Sequence, residues 1–266
     1  MPTATFRPMS TGEILDVAFG LYRRHFSTLI TLSVLLTGLP LLVFGAIAAL
    51  TVTASLNNLG MLFFFMLGFG LGYLVLAQLS LGASILVVSQ GYLGRDLSAG
   101  AAIKQTLGRL GLLLLSAILV GLLVGLGSML FLIPGIILFC GLSLTTPVVM
   151  LESPANATDA MGRSWALTKG FRWRMFLVIL VGVVLSVVVI VGVNLVIGLA
   201  FGTFSQPAPG ATPNLAILLL QQAIQLTANM IVAPFPHCIL AMAYYDLRIR
   251  KEAFDLEVLA STLQPA

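Results

Sequence analysis

Residues 110–151 read LGLLLLSAILVGLLVGLGSMLFLIPGIILFCGLSLTTPVVML, without a single Asp, Glu, Lys or Arg. A helix that spans a bilayer needs about 20 apolar residues, so this stretch is long enough to cross a membrane and return. Pro134 and Gly135 lie near its middle and favour a turn at Phe131–Gly135. The stretch therefore predicts a transmembrane hairpin of two helices, over 110–131 and 134–150.

The same pattern extends along the chain, because the charged residues are confined to four short islands. The islands are Arg7–Arg24, Arg95–Arg109, Glu152–Arg174 and Asp246–Glu257, and the stretches 26–94, 110–151 and 175–245 between them carry no charge. A charged side chain at the centre of a spanning helix costs about 2.5 to 3.5 kcal/mol on insertion scales, so charges are expected at the flanks. Turn sequences at 55–60 and 205–213 divide the two outer stretches. They predict helices over 26–53, 61–90, 175–202 and 214–245.

Composition agrees with this interpretation. The chain is 59% hydrophobic and only 8% charged, and its mean hydropathy is +1.10. Soluble domains carry about 25% charged residues, so a soluble fold is excluded. We expect an all-α integral membrane protein, with 1–266 as a single membrane domain and six transmembrane helices arranged as three hairpins.

The distribution of positive charge predicts the topology. All 13 Lys and Arg lie in the islands, and none lies in the three hairpin turns. By the positive-inside rule, both termini are expected in the cytoplasm, in a bacterial inner (cytoplasmic) membrane or its equivalent. The net charge of +4 reflects this rule and does not indicate a nucleic-acid partner. We expect no cleavable signal peptide, because the apolar run from Phe26 is too long for one.

Three islands contain a similar amphipathic pattern, which predicts a short helix before each hairpin. The copies begin at Thr11, Ala99 and Ala157, and Ser10, Ser98 and Asn156 precede them as N-cap residues. Their apolar residues fall on one helical face, so each helix can lie in the membrane interface. The pattern suggests internal repeats over 10–94, 98–151 and 156–245, although coincidence is an equal alternative. A fourth cytoplasmic helix is expected over 246–263, supported by Asp246/Arg250 and Arg248/Glu252 pairs.

Four segments together resemble one known family. They are RPMSTGEILDVAFGLYRRHF from Arg7, PGIILFCGLSLTTPVVMLE from Pro134, AMGRSWALTKGFRWRMF from Ala160 and AYYDLRIRKEAFDLE from Ala243. The chain resembles the glycerophosphoryl diester phosphodiesterase membrane-domain family over nearly its whole length. The resemblance implies a stand-alone membrane module without an assigned activity. The barrel that carries the phosphodiesterase chemistry, with its acidic residues and histidines around a metal, has no counterpart here.

Catalytic patterns are missing from the sequence. The chain has no GxSxG, Walker, HExxH or Rossmann motif in a fitting context, and His25 and His237 are its only histidines. Cys140 and Cys238 lie in predicted helices without metal-ligand spacing, and buried reduced thiols are expected. We therefore predict no catalytic residues, no metal and no cofactor.

A polar stripe is predicted inside the membrane on the sixth helix. Gln221, Gln225 and Asn229 share one face at a spacing of four residues, and His237 follows Pro234 and Pro236, where a kink is expected. Such a stripe either joins helices by hydrogen bonds or lines a path, and the first is the commoner role. An internally hydrogen-bonded His237 is the expectation, with a ligand or ion site as the alternative.

Basic and aromatic residues of the islands form a candidate face for lipid or a protein partner. These are Arg23, Arg24, Arg109, Trp165, Lys169, Arg172, Arg174, Arg248 and Arg250. Each cation near an anionic phospholipid surface contributes about 1 kcal/mol. Topology and anchoring alone are the simpler interpretation. Glu152 and Asp246 are expected to pair with island arginines, and Gly68/Gly72 and Gly121/Gly125 are expected to allow close helix contacts within the chain, or else in a dimer.

These patterns lead to two functional hypotheses and a third, weaker one. The first is a non-enzymatic membrane protein that organises lipids or docks a partner through its cytoplasmic face. The second is a transporter or flippase-like protein for a lipid or small amphipathic solute, based on the polar stripe and the proline break. An intramembrane enzyme is the third, because His237 and two cysteines are the titratable groups expected at depth.

Overall fold

The computed structural model describes residues 7–44, 59–201 and 215–252, and these residues form helices and no strand. Six helices are long and apolar enough to span a membrane. They cover Phe26–Phe44, Phe63–Tyr92, Leu110–Leu130, Leu132–Leu151, Arg172–Phe201 and Leu220–Glu252. The prediction of an all-helical fold is confirmed for the described residues, and the six long apolar helices agree with a multi-pass membrane protein.

The described residues form eleven α-helices that have both ends within the described ranges. They are α1 (Thr11–Arg24), α2 (Phe26–Ser33, continued by a π-helical turn, Val34–Gly38), α3 (Leu59–Tyr92), α4 (Ala99–Leu107), α5 (Leu110–Leu130), α6 (Leu132–Leu142), α7 (Thr145–Leu151), α8 (Ala157–Thr168), α9 (Arg172–Phe201), α10 (Leu215–Val232) and α11 (Pro234–Glu252). Of the predicted turns, 55–58 and 205–213 lie outside the described residues, as does 253–263 of the predicted C-terminal helix.

The three predicted island helices are α1, α4 and α8, and each begins at its expected cap. The Ser10 hydroxyl accepts from the Glu13 N–H at 3.2 Å, while the Glu13 carboxylate accepts from the Ser10 N–H at 2.6 Å. Ser98 and Asn156 likewise accept from backbone N–H groups three residues on. These bonds satisfy donors that the first turn of a helix leaves free.

Equivalent positions of the three helices are buried to the same degree. Ile14, Ala102 and Ala160 are each at most 1% exposed and pack into the protein core. The innermost apolar residues of these helices therefore contact other helices of the protein. Phe19 and Leu107, one turn further on, are half exposed. The shared burial agrees with the repeated pattern, and internal duplication itself stays a prediction.

Two predicted helices are broken, and proline explains both breaks. The predicted helix 134–150 divides at Ser143–Leu144, because Pro147 has no N–H to donate to the Ser143 carbonyl. The sixth helix divides at Ala233, immediately before Pro234, as the kink prediction required. The prediction of one continuous helix over 134–150 is therefore wrong. Three hydroxyl residues lie at the resulting corner between α6 and α7: Ser143, Thr145 and Thr146.

Close helix contacts are made by glycines other than the predicted pairs. A Cβ built on Gly135 would lie 2.8 Å from Ser128 Cα, and one on Gly127 would lie 3.4 Å from Gly135 Cα, so α5 and α6 meet there. Around a Cβ on Gly68, Gly121 or Gly125, by contrast, no atom of the described residues lies within 4 Å. Among the described residues, these three glycines therefore do not make the close helix contact that was predicted for them.

The core lies toward the end of the bundle where the charged islands meet. Its buried residues come from α1, from the second half of α3, and from α7 and α11, and include Ile85, Val87, Met242 and Tyr244. The helix α9 is largely exposed from its middle onward, where the side chains of Val184, Val188 and Val196 are each about half or more accessible. An apolar surface of this kind is what a helix facing lipid presents.

Candidate functional site

A cavity of about 650 Å³ lies between α3, α5, the α6–α7 corner, α9 and α11. Its size falls within the range of about 300 to 1,000 Å³ that is usual for small-molecule sites. Among the described residues that line it, none is charged, and most are aliphatic. Its polar side chains are Gln78, Ser116, Ser143, Thr145, Thr146 and His237.

Two of these side chains carry polar atoms that are buried without a partner. Gln78 Oε1 and His237 Nδ1 make no hydrogen bond to any residue that the structure describes. The internal hydrogen bond expected for His237 is therefore not made at that atom. Buried polar atoms nearly always have a partner, so two unpaired atoms on residues of one cavity single out this space as a candidate site.

The hydroxyl groups around the cavity are held by their own helices. Ser116 donates to the Leu112 carbonyl at 2.7 Å, Ser143 donates to Cys140 at 2.9 Å, and Thr145 donates to Leu142 at 2.7 Å. Each hydroxyl hydrogen is thus committed, while the oxygen keeps its capacity to accept. The polar end of the cavity thus combines these acceptor oxygens with the uncharged donors of Gln78 and Thr146.

A second chamber of about 290 Å³ adjoins the cavity. The two share Val124, Phe139, Ile179 and Val183 as lining residues. The remaining lining of the second chamber is Ser128, Gly135, Ile136, Phe176 and Leu180. We call this space the apolar annex, because Ser128 is the one polar side chain in that lining. The combined space has a hydrogen-bonding end and an apolar end.

The wall of the cavity on α5 is thin. Gly121 and Gly125 line the cavity, and the space that their missing side chains would fill is open among the described residues. Phe139 and Val183, also in the lining, are 46% and 48% exposed. The cavity therefore reaches the apolar side surface of the bundle, where a lipid in the bilayer could enter.

The predicted polar stripe does not act as one unit. His237 lines the central cavity with Gln78, whereas Asn229 lines a smaller cavity of about 250 Å³ and donates to the Gln225 carbonyl at 2.8 Å. Gln221 Nε2 and Gln225 Oε1 are buried without a partner among the described residues. The helix break at Ala233 separates His237 from the other three.

Sequence reasoning missed Gln78 and the hydroxyl residues of the cavity. Each is an isolated polar side chain within an apolar span, and such residues are common in membrane helices. Four spans each contribute at least one polar side chain to the cavity. These spans are Phe63–Tyr92, Leu110–Leu130, Leu132–Leu151 and Leu220–Glu252. Only the packing of these spans reveals that the isolated polar groups face one space.

At the charged end, Asp246 is 1% exposed and connects three parts of the chain. It accepts from the Met9 N–H at 2.8 Å, from Arg174 Nε at 3.1 Å and from Arg250 Nε at 3.0 Å. Arg250 and Arg174 also donate to the Met9 carbonyl. The predicted pairing of Asp246 with island arginines is confirmed, and it joins the segment before α1 to α9 and α11.

Glu152 organises a second charged cluster. It accepts from Arg163 Nε at 2.7 Å and from the Tyr244 hydroxyl at 2.8 Å. Arg163 also pairs with Glu252, which accepts from Arg248 as well. Hydrogen bonds to Glu252 and then to Glu152 raise the pKa of the Arg163 guanidinium. The predicted pairing of Glu152 is therefore confirmed.

The predicted lipid or partner face contains two kinds of residue. Arg174, Arg248 and Arg250 belong to the clusters above, and Arg109 donates to the Val149 and Met150 carbonyls at the end of α7. Arg172 stacks over Trp165, with its Cζ 3.8 Å from the ring centroid. The exposed cations of the predicted face are Arg23, Arg24 and Lys169.

Cysteine chemistry and metal binding are the remaining candidates for a site. Cys140 and Cys238 are buried free thiols, as expected. No group of three or more His, Cys, Asp or Glu side chains that could hold a metal occurs in the described part of the chain.

Comparison with known proteins identifies a family but supplies no activity. The family model of a domain of unknown function (DUF7847) matches residues 56–247. No match exists among the curated proteins or among the solved structures. The matched range includes all the described residues that line the cavity.

Proposed function

The chain belongs to the family described as a domain of unknown function (DUF7847), and we propose that it binds a lipid or small amphipathic solute between its helices as a carrier or flippase. The observation that carries this proposal is the cavity of about 650 Å³, which is uncharged in its described lining and opens beside Gly121 and Gly125. The proposal is non-enzymatic, since His237 is the one titratable side chain in that lining.

Occupancy of the cavity is tested by filling it. Gly121→Leu places a side chain in the cavity, and the open space around Gly121 lets the helix accept it. Gly111→Leu is the matched control, because Gly111 lies on the same helix with equally open surroundings and is not among the described lining residues. Native mass spectrometry should detect a retained lipid on the wild type and on Gly111→Leu but not on Gly121→Leu.

Movement of the ligand needs a separate measurement. The wild type and both glycine variants are reconstituted into vesicles that contain a fluorescent phospholipid and a fluorescent solute. Transfer across the bilayer is followed by quenching from outside and is compared with transfer in vesicles without protein. Faster transfer in the wild type that is lost in Gly121→Leu supports a carrier. Wild-type transfer equal to that of empty vesicles, together with a retained lipid, would restrict the function to binding.

We propose that the six spans form three hairpins and that both termini lie in the cytoplasm. The protein would then lie in a bacterial inner membrane or its equivalent. Two observations support this topology: every Lys and Arg lies in an island, and α5 packs against α6 along the chain. Single cysteines test it. In a background without Cys140 and Cys238, an impermeant maleimide should label Phe131→Cys from outside intact cells and Asp96→Cys only after the membrane is opened.

A second candidate function is docking of anionic lipid by the cytoplasmic face. Arg23, Arg24 and Lys169 are exposed, and Trp173 nearby in sequence is 72% exposed, as an interfacial aromatic anchor would be. The double variant Arg23→Glu/Arg24→Glu should reduce the phosphatidylglycerol that copurifies from a mixture with phosphatidylethanolamine. Lys104→Glu, an exposed cation outside the predicted face, serves as the control.

The resemblance to the glycerophosphoryl diester phosphodiesterase membrane domain is retained as a proposal.

A further inference from the structure

The polar end of the cavity has the chemistry of a site for an alcohol. We propose that its occupant is an uncharged amphiphile with a hydroxyl-bearing head, such as a glyceride or a long-chain alcohol, rather than an anionic phospholipid. This inference rests on the proposed function, because it names the ligand class of the same cavity. It depends on which hydrogen-bonding groups face the cavity and on where the cations of the chain are held.

The polar groups of the described lining are uncharged and include both acceptors and donors. Gln78 Oε1 is buried and lacks a partner in the described residues, and Ser116 and Thr145 have committed their hydrogens to backbone carbonyls. His237 Nδ1, also without a partner there, can accept or donate according to its tautomer. A hydroxyl head both donates and accepts, so it can pair with either kind of group, whereas an ionised phosphate only accepts and would leave the acceptor oxygens unpaired.

Arg172 stacks on the Trp165 ring, and other cations near the ends of the cavity helices are held by their own partners. Asp246 holds Arg174 and Arg250, and at 1.5 Å per residue about 13 Å of helix separates Asp246 from His237. Arg109 bonds the end of α7, about 10 Å of helix from Ser116. An anionic head in the cavity would thus be an unpaired charge at low dielectric, which costs far more than an unpaired dipole.

The apolar annex supplies room for the chain of the amphiphile. It adjoins the cavity through Val124, Phe139, Ile179 and Val183, and its one polar side chain, Ser128, lies on α5. A hydrocarbon chain placed there replaces contacts with lipid by contacts with protein. The chain of the ligand therefore contributes packing, and its head group contributes selectivity. Polar and apolar space are thus separated as they are in a single-headed amphiphile.

Two ligands that differ only in charge test this assignment. Dioctanoylglycerol and dioctanoylphosphatidic acid have the same chains, and the second carries a phosphate on the hydroxyl of the first. Each is titrated into the full-length protein in detergent and counted by native mass spectrometry. We expect dioctanoylglycerol to bind the wild type more tightly. Gln78→Leu should weaken it about five- to tenfold, the effect of one or two hydrogen bonds.

Controls separate this inference from the proposed function. Gln222→Leu makes the same change on an exposed residue outside the described lining and should leave affinity unchanged. His237→Leu is a second cavity variant in case Gln78→Leu does not fold. Tighter binding of dioctanoylphosphatidic acid that Gly121→Leu abolishes would overturn the alcohol assignment and keep the cavity as a binding site. Binding of neither ligand, with no lipid retained by the wild type, would overturn the proposed function as well.

Discussion

Two regions of α11 treat buried polar groups in opposite ways. At the charged end, Asp246 is almost fully buried and accepts hydrogen bonds from Met9, Arg174 and Arg250. About 13 Å earlier on the same helix, His237 Nδ1 is buried and has no partner among the described residues. A polar group that serves the fold alone is expected to be fully paired. The first region therefore holds the bundle together, whereas the second has the unpaired polar group on which the proposed binding site rests.

Glycines show the same contrast between a packed and an open region. Gly141 lies against the Trp165 ring, and its carbonyl accepts from Ser164 and Thr168. Gly121 and Gly125 instead border open space beside the cavity. Small residues thus permit contact in one region and leave room in the other.

The largest effect is expected at the charged end. Asp246→Ala should lower the free energy of unfolding by about 3 to 5 kcal/mol, because it leaves Arg174 and Arg250 partly buried without their common carboxylate. Unfolding by sodium dodecyl sulfate, followed by tryptophan fluorescence, measures it. Asp96→Ala, whose side chain is 86% exposed, should cost less than about 1 kcal/mol. Equal losses in the two variants would refute the structural role of the Asp246 cluster.

A smaller effect is expected where a glycine is packed. Gly141→Ala should destabilise the protein by about 1 to 3 kcal/mol, since the new methyl group would overlap the rigid Trp165 ring. Gly121→Ala, beside the cavity, should be neutral or stabilising by up to about 1 kcal/mol, because alanine favours the helix. The same unfolding measurement compares them. A loss in Gly121→Ala as large as that in Gly141→Ala would argue against an open cavity wall.

Paired and unpaired polar groups should respond with opposite signs. Gln78→Leu removes a buried acceptor without a described partner, so stability should stay the same or rise by up to about 1 kcal/mol. Ser89→Ala removes the buried hydrogen bond between the Ser89 and Tyr245 hydroxyls and should cost about 1 kcal/mol. Thermal unfolding in detergent at one pH suffices. Destabilisation by Gln78→Leu would mean that Gln78 has a structural partner in the empty protein.

The smallest effect concerns pH and His25, which lies between α1 and α2. Burial lowers the pKa of His25, and Asp96, 3.9 Å away, only partly opposes this. The unfolded chain therefore binds a proton more readily, so stability should be intact above about pH 6.5 and fall as pH drops below that value. Carboxylates remain charged down to about pH 5.5, so the two histidines are the side chains that titrate in this range, and the His25 variant separates their contributions. His25→Asn should flatten the profile of melting temperature between pH 7.5 and 5.5, and an unchanged slope would contradict the assignment.

Much of the fold could be predicted because the membrane imposes simple rules. Uncharged stretches of sufficient length identified all six candidate spans, and N-cap residues located α1, α4 and α8. The pairing of Glu152 and Asp246 was predictable, since a carboxylate at a membrane boundary requires a partner. The break before α7 was missed because Pro147 was treated as part of a continuous apolar run. The glycine contacts were missed because spacing does not tell which face of a helix meets a neighbour.

The candidate site could be predicted only in part. His237 was singled out with Gln221, Gln225 and Asn229, yet the structure places it beside Gln78 on a different span. The four stripe residues share a face only if the helix continues through Pro234, and it does not. The predicted basic face was divided in a similar way, because distance along the chain does not show that Arg174 and Arg250 meet one carboxylate.

By itself, the sequence determined the environment, the number of spans and their charged boundaries. These properties depend on length and composition, which act locally through the cost of placing charge in a bilayer. Only the tertiary structure decided which isolated polar residues share the cavity, which arginines are consumed by Asp246 and Glu152, and which glycines face open space. Those outcomes depend on how five or more helices pack at once, and a polar residue in a single span carries no record of its neighbours in space.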